Sequence, residues 1–284
     1  MKNWKDLIQQ DTFRYIDHST LTTFNNEAYT AIHSFAIDDA LALSISHRSS
    51  PPTMRLWVHP NTIVLGIPDA KLPYIDEGIQ LLKRAGFHVV VRNSGGLAVA
   101  LDNGVLNISL ILPGVKDLSI HEGYEAMVRF VTYMLDDLTD QIEAYEIVNS
   151  YCPGDYDLSI NGKKFAGISQ RRVKDGVAVQ IYLDVKGNSY KRAKVIRDFY
   201  DISKKGEKTK FTYPSVDPHV MSSLSDLLNT QLTVEDMKVR AKKSLAAFNN
   251  EVIEQPFSDS EQADYEKRLE QMKKRNERIE STST

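Results

Sequence analysis

From Tyr156 the chain reads YDLSI, Asn161-Gly162, KKFAGISQRRV, Lys174-Asp175-Gly176 and VAVQIYLDV, three strand-like runs separated by two turn signals. Asn-Gly is a strong hairpin signal because a two-residue turn of the favoured kind needs φ above zero at both central positions. Strands joined by so short a turn are antiparallel neighbours. The stretch therefore predicts a three-stranded meander, against which the helical segments of the chain would pack.

The rest of the chain alternates strand-like and helix-like stretches. MRLWVHPNTIVLGI predicts strands near Leu56–Val58 and Thr62–Leu65 about a hairpin-type turn at His59-Pro60-Asn61. PYIDEGIQLLKRAG reads as a helix, with Asp76 and Glu77 in its first turn, Ile79, Leu82 and Ala85 on one face and Gly86 as its stop. FHVVVRNSGG follows as a buried strand entering a glycine turn, and Leu106–Leu112 is a further strand. Apolar residues at helical spacing predict the longest core helix over Ile120–Leu138. Three more helical patterns, SYKRAKVIRDFYDIS, DPHVMSSLSDLLN and TVEDMKVRAKKSLAAF, come next, the last with Thr233 as its N-cap. Beyond Ser258 the chain is highly charged with a sparse stripe of Tyr265, Leu269 and Met272. Residues 1–255 are thus expected to form one catalytic-sized domain and residues 256–284 a charged helical tail, frayed at Ser281–Thr284.

Composition narrows the function. A net charge of -3 over 284 residues, without a basic block, argues against nucleic acid as a partner. No apolar run approaches the roughly 20 residues of a membrane span, and the start MKNWKDLIQQD lacks a signal-peptide core. A cytoplasmic protein without a membrane partner is the expectation. One cysteine excludes an internal disulfide and a multi-cysteine zinc site.

That cysteine, Cys152, opens a Cys-Pro-Gly loop, which argues for irregular backbone. A lone cysteine is more often structural than reactive. Against this stands Lys164, which the Asn-Gly hairpin carries back toward the same loop, and an ammonium beside a thiol favours the nucleophilic thiolate. Arg92, Ser94, Gly95 and Gly96 end a strand, where glycines let a ligand approach the backbone, although a bare Ser-Gly-Gly is more often only a tight turn. The glycine patterns that cradle nucleotides are absent. The seven histidines show no metal-ligand spacing. The pairs Asp38-Asp39 and Asp136-Asp137 are expected on solvated helix faces.

VVRNSGGLAVALDNGVLNIS, with KKFAGISQ further on, resembles the catalytic fold of the lipoate- and biotin-protein ligases. Its signature runs Arg-Arg-x-Ser-Gly-Gly-Gly-Ala-Val, then Gly-x-Leu-Asn, then a lysine before an apolar residue and Ala-Gly or Ser-Gly. The chain departs from the ligase pattern in Leu97 for the third glycine, Val91 for the first arginine and Leu101 for a histidine. Across nearly its whole length it is similar to the acyltransferase members of that superfamily. The resemblance implies an α+β domain with mixed and antiparallel sheets flanked by helices. It implies octanoate moved from a lysine of the glycine cleavage H protein to a lysine of the E2 lipoyl domains, without cofactor or metal. Cys152 would be the acylated nucleophile and Lys164 its partner. Arg92, Ser94, Gly95, Gly96, Ala98, Asn107, Asp157 and Gly167 would bind substrate, with the acyl tail near Leu97–Val99. Lys163, Arg171, Arg172 and Lys174 would form a basic rim for acidic carriers. An ATP-dependent lipoate ligase and a non-catalytic acyl-binding protein are the alternatives.

Overall fold

The structure, a computed structural model, describes residues 4–114, 116 and 118–282. The meander forms as the turn signals require. Strands Leu158–Ile160, Lys163–Val173 and Gly176–Asp184 run antiparallel, with Asn161 and Gly162 at φ of 52° and 71°. It supplies three strands of an eight-stranded sheet. Beyond Gly176–Asp184 lie Val105–Pro113, Thr53–Trp57, Thr12–His18 and Glu251–Ile253, and Glu143–Ala144 closes the other edge. The last two junctions, Thr53–Trp57 with Thr12–His18 and Thr12–His18 with Glu251–Ile253, are parallel, so the sheet is mixed.

Strand alternation separates two cores. Leu106, Ile108, Leu110, Val177, Val179 and Ile181 face one side, where helices Ile120–Met134 and Val234–Phe248 cover them. Asn107, Ser109, Gln180 and Tyr182 belong to the intervening positions, and this second face meets helix Ala31–Ser46 and a three-stranded sheet. That smaller sheet has His88–Val91 and Val99–Leu101 on either side of Thr62–Leu65. The glycine turn thus joins two strands that flank a third.

Three expectations need correction. The helix expected over Ile120–Leu138 as the longest of the core ends at Met134 and, at 15 residues, is shorter than Ala31–Ser46 and Ser189–Lys204 at 16 each. His59-Pro60-Asn61 does not close a hairpin: it carries the chain from the large sheet at Trp57 to the small one at Thr62. His59 is buried in that crossover and bonded to Ser34 Oγ at 2.8 Å. The stretch DPHVMSSLSDLLN is not one helix but a 3-10 turn, Pro218–Val220, and a short helix, Leu224–Leu227. Ser223 caps the second piece, which ends the first. Helix Ile75–Arg84, helix Ser189–Lys204 and the Thr233 cap form as expected.

The charged C-terminal segment forms helix Asp259–Ser281, with Tyr265, Leu269, Met272 and Ile279 buried against the body. Its polar residues also reach inward. Glu261 pairs with buried Arg14 at 2.6 Å, and Asn276 bonds both the N–H and the carbonyl of Val91 at 2.6 and 3.1 Å. Asn276 thereby satisfies the outer edge of the small sheet at the residue before Arg92. Ser283 and Thr284, expected to fray, lie outside the described residues. No helix among the described residues is long and apolar enough to cross a membrane.

Burial also sets the acid limit of stability. Burial first, then the Arg55 charge, pushes His59 down to about 3, and the same two causes act on His18. A lowered folded pKa means that unfolding takes up protons, so stability present above about 6.5 is lost as pH falls toward 3. Asp69, pushed up to about 6 by burial, works in the opposite sense, its contribution fading as pH rises through 6. His59→Gln is expected to reduce the slope of stability against pH between 6 and 4 by about one proton, roughly 1.4 kcal/mol per unit. Urea unfolding at pH 6, 5 and 4 measures it; an unchanged slope would show that His59 is not buried neutral.

Candidate active site

Cys152 sits on the loop before the meander with φ of 48°, a left-handed conformation that costs a non-glycine residue energy and is held only by its surroundings. Those surroundings are Asp157 and Lys164. Asp157 Oδ2 accepts from the amides of Gly154 at 3.2 Å and Ile147 at 3.3 Å. Its Oδ1 lies 2.8 Å from Lys164 Nζ, and both side chains are buried. Burial holds the Asp157 carboxyl above the usual range, and the ammonium draws it back only in part. The hairpin does return Lys164 to the cysteine loop. Its ammonium donates to Ser150 Oγ at 3.2 Å, Tyr151 O at 3.0 Å and Cys152 O at 2.9 Å.

The sulfur is served by other groups. Arg92 Nη2 lies 3.3 Å and the Leu97 amide 3.1 Å from Cys152 Sγ; among the described residues these are its two donors. The expected ammonium–thiol contact is therefore corrected. Lys164 approaches from the strand side, where the loop turns its carbonyls, while the sulfur points across to the glycine turn.

That turn is built around missing side chains. A Cβ on Gly96, whose φ is 96°, would lie 2.3 Å from Arg92 Nη2 and 2.8 Å from Cys152 Sγ. A Cβ on Gly66 would lie 2.0 Å from Gly96 O. Arg92 Nη2 also donates to Leu97 O at 2.6 Å, so one guanidinium spans the turn and the thiol. The Ala98 amide donates to Tyr200 Oη at 3.2 Å, and that hydroxyl donates to Asp69 Oδ1 at 3.0 Å. Ser94 Oγ and Asn93 Oδ1 are buried with no hydrogen-bond partner among the described residues. Gly95 has open space where a side chain would stand.

A narrow cleft, with about 40 Å³ of room for the centre of a water-sized sphere, is lined by Cys152 and Arg92. Phe35, Trp57, Val64, Val99, Leu101 and Tyr182 give it apolar walls. Asn107 and Gly167 also line it, the former donating to Trp57 O at 3.3 Å. A Cβ on Gly167 would lie 2.8 Å from the Tyr182 ring, a contact only glycine avoids, and 3.5 Å from Lys164 Nζ. Of the Leu97–Val99 stretch, Val99 lines the cleft and Leu97 contributes its backbone.

The carboxylate pair Asp38-Asp39 is not solvated but buried. Asp38 accepts from Arg55 Nε at 2.8 Å, Ser109 Oγ at 2.7 Å and Gln180 Nε2 at 2.6 Å. Helix Ala31–Ser46 is covered on nearly every side, and buried cations and amides satisfy the two charges instead of water. Asp39 holds Arg171 in a two-pronged pair at 2.9 and 3.0 Å. Lys163 lies eight residues from Arg171 on the same strand, about 26 Å away, so the two cannot share a rim. Asp136 and Asp137 are exposed. No cluster of metal-ligating residues occurs among the described residues.

Sequence reasoning brings together Cys152, Lys164, Asp157, Arg92 and the glycine turn. It misses the Leu97 amide, Tyr200 and Asp69. A backbone donor leaves no residue-type signal; an Asp three residues past Gly66 was the one available hint.

The sheet thus carries a thiol and a glycine turn at one cleft, with a buried lysine holding the thiol's loop from behind. The family described as the lipoyl protein ligase A/B catalytic domain matches residues 30–246, and the chain belongs to that family. It is 61% identical over 277 residues to octanoyl-GcvH:protein N-octanoyltransferase of Oceanobacillus iheyensis, covering 98% of this chain and 99% of the relative. It is 48% identical over 274 residues to lipoyl-GcvH:protein N-lipoyltransferase of Listeria monocytogenes, covering 96% and 97%. The bi-partite lipoate protein ligase of Thermoplasma acidophilum superposes with a TM-score of 0.64 over 92% of each chain, at 17% identity. At that identity the likeness speaks for the fold alone.

Proposed function

We propose that this chain is an octanoyltransferase that moves octanoate from a lysine of the glycine cleavage H protein to a lysine of E2 lipoyl domains. The activities for which its relatives are named support the donor. The observation that carries the chemistry is Cys152 Sγ, fixed by Arg92 and the Leu97 amide where an apolar cleft begins.

Donor and product are both amides, so the exchange needs no ATP. The Cys152 thiolate attacks the amide carbonyl; the C–S bond forms, the C–N bond breaks and the leaving amine takes a proton. In this reading Lys164, whose Nζ lies 2.9 Å from the Cys152 carbonyl, supplies that proton, and Arg92 with the turn amides opposes the oxyanion charge. A neutral lysine of the acceptor then attacks the thioester, the thiolate leaves and Lys164 recovers the proton. The octanoyl methylenes lie along the apolar walls, each worth about 0.8 kcal/mol when buried.

Octanoyl transfer from H protein to an isolated lipoyl domain, followed by mass spectrometry, is expected to proceed without nucleotide or magnesium. Transfer only with ATP and free octanoate would instead assign the site to acid activation.

A further inference from the structure

The cleft ends differently from the way it begins. On the large sheet its lining falls in cross-strand rows two residues apart, about 7 Å along the strands. The first row is Gly167, Tyr182, Asn107 and Trp57. It lies at the cysteine end, where the Tyr182 ring is 5.7 Å from that of Tyr151. The second row, Ser169, Gln180, Ser109 and Arg55, is polar throughout, and Ser169 and Gln180 line the cleft. Of the third row, Arg171, Ala178, Ile111 and Thr53, none is among the lining residues, and Arg171 is held by Asp39.

Gln180 is buried and fixed. Its Nε2 donates to Asp38 Oδ2 at 2.6 Å, and Ser169 Oγ approaches its Oε1 at 3.4 Å. Asp38 is itself pinned by Arg55 and Ser109, so turning the amide aside would take a donor from a buried carboxylate. A hydrocarbon gains from each methylene while its walls are apolar. At Gln180 the next methylene meets a hydrogen-bonded amide that it can only strip.

We propose that Gln180, held by Asp38, is the stop that sets the length of acyl chain this cleft accepts. The inference rests on Cys152 as the acylated group. Ligands up to a medium saturated chain fit between the sulfur and the amide; longer ones must break the Gln180–Asp38 bond. Deleting the amide leaves Asp38 with Arg55 and Ser109, so the network retains its charge balance. Filling the same end from Ser169 has the opposite effect.

The test uses N-acetylcysteamine thioesters of hexanoate, octanoate, decanoate and dodecanoate, from which the Cys152 thiolate takes the acyl group and releases the thiol. Intact mass follows the rate of adduct formation. The wild type is expected to fall away sharply beyond octanoyl. Gln180→Ala should raise the decanoyl-to-octanoyl rate ratio roughly fifteenfold, two methylenes at about fourfold each. Ser169→Leu should raise the hexanoyl-to-octanoyl ratio by a similar factor, and it decides the matter alone if Gln180→Ala does not fold. One shared length profile for the wild type and both variants would overturn the proposal while leaving the thioester intact. A wild type acylated by none of the probes would instead remove the thioester reading, and this inference with it.

Discussion

Cys152→Ala is expected to lower octanoyl transfer by at least about 10³-fold while leaving the unfolding curve nearly unchanged. Removing a covalent nucleophile forces direct attack of one amine on an amide, a far higher barrier than two thioester steps. The side chain is partly exposed and its sulfur accepts two hydrogen bonds from the described residues, so little folding energy goes with it. Cys152→Ser is expected to be nearly as inactive, since a serine hydroxyl is a far weaker nucleophile than a cysteine sulfur without a base to activate it. Transfer by the alanine variant at a comparable rate would mean that the two amines exchange the acyl group directly.

Lys164→Met is expected to cost both stability and transfer. It strips a buried carboxylate of its ion pair and frees the carbonyls of Tyr151 and Cys152, a loss of about 3–5 kcal/mol if the loop stays closed. Asp157 would then be held up by burial without the opposing ammonium. A raised folded pKa gives stability that is present at low pH and lost as pH rises, so the deficit should shrink between pH 7 and 5. Asp157→Asn in the same chain should recover much of the stability and none of the transfer. Lys163, exposed on the adjoining strand position, should tolerate alanine in both assays. Urea unfolding and the transfer assay on the four proteins measure this; a stability deficit equal at both pH values would show that Asp157 is not the group left unpaired.

What the sequence reveals divides along physical lines. The meander is legible because Asn161-Gly162 and Lys174-Asp175-Gly176 dictate local backbone geometry. Helix Ile75–Arg84 is legible through its acidic first turn, one-sided apolar stripe and the glycine after it, and Val234–Phe248 through its Thr233 cap. Helix Ala31–Ser46 leaves no such stripe: packed against strands and against helix Asp259–Ser281, it is buried almost all round, and its aspartates imitate a solvated face. The strand Thr12–His18 pairs in parallel with segments about 40 and 240 residues away, beyond the reach of any local turn signal. The site follows the same division. Lys164 returns to the cysteine loop through a hairpin, which can be read. Arg92 and the Leu97 amide reach the sulfur from 60 and 55 residues away, across two sheets, and only the fold brings them there.

An acyl group covalently held by Cys152 is what separates this chemistry from direct exchange between two amines. The direct measurement is intact mass of the protein after mixing with octanoyl-H protein in the absence of ATP and of any acceptor, followed by peptide mapping and hydroxylamine treatment. The predicted result is one octanoyl group on the peptide carrying Cys152, removed by hydroxylamine and discharged on addition of lipoyl domain. Transfer to lipoyl domain with no adduct on Cys152, or an adduct that persists in Cys152→Ala, would contradict it.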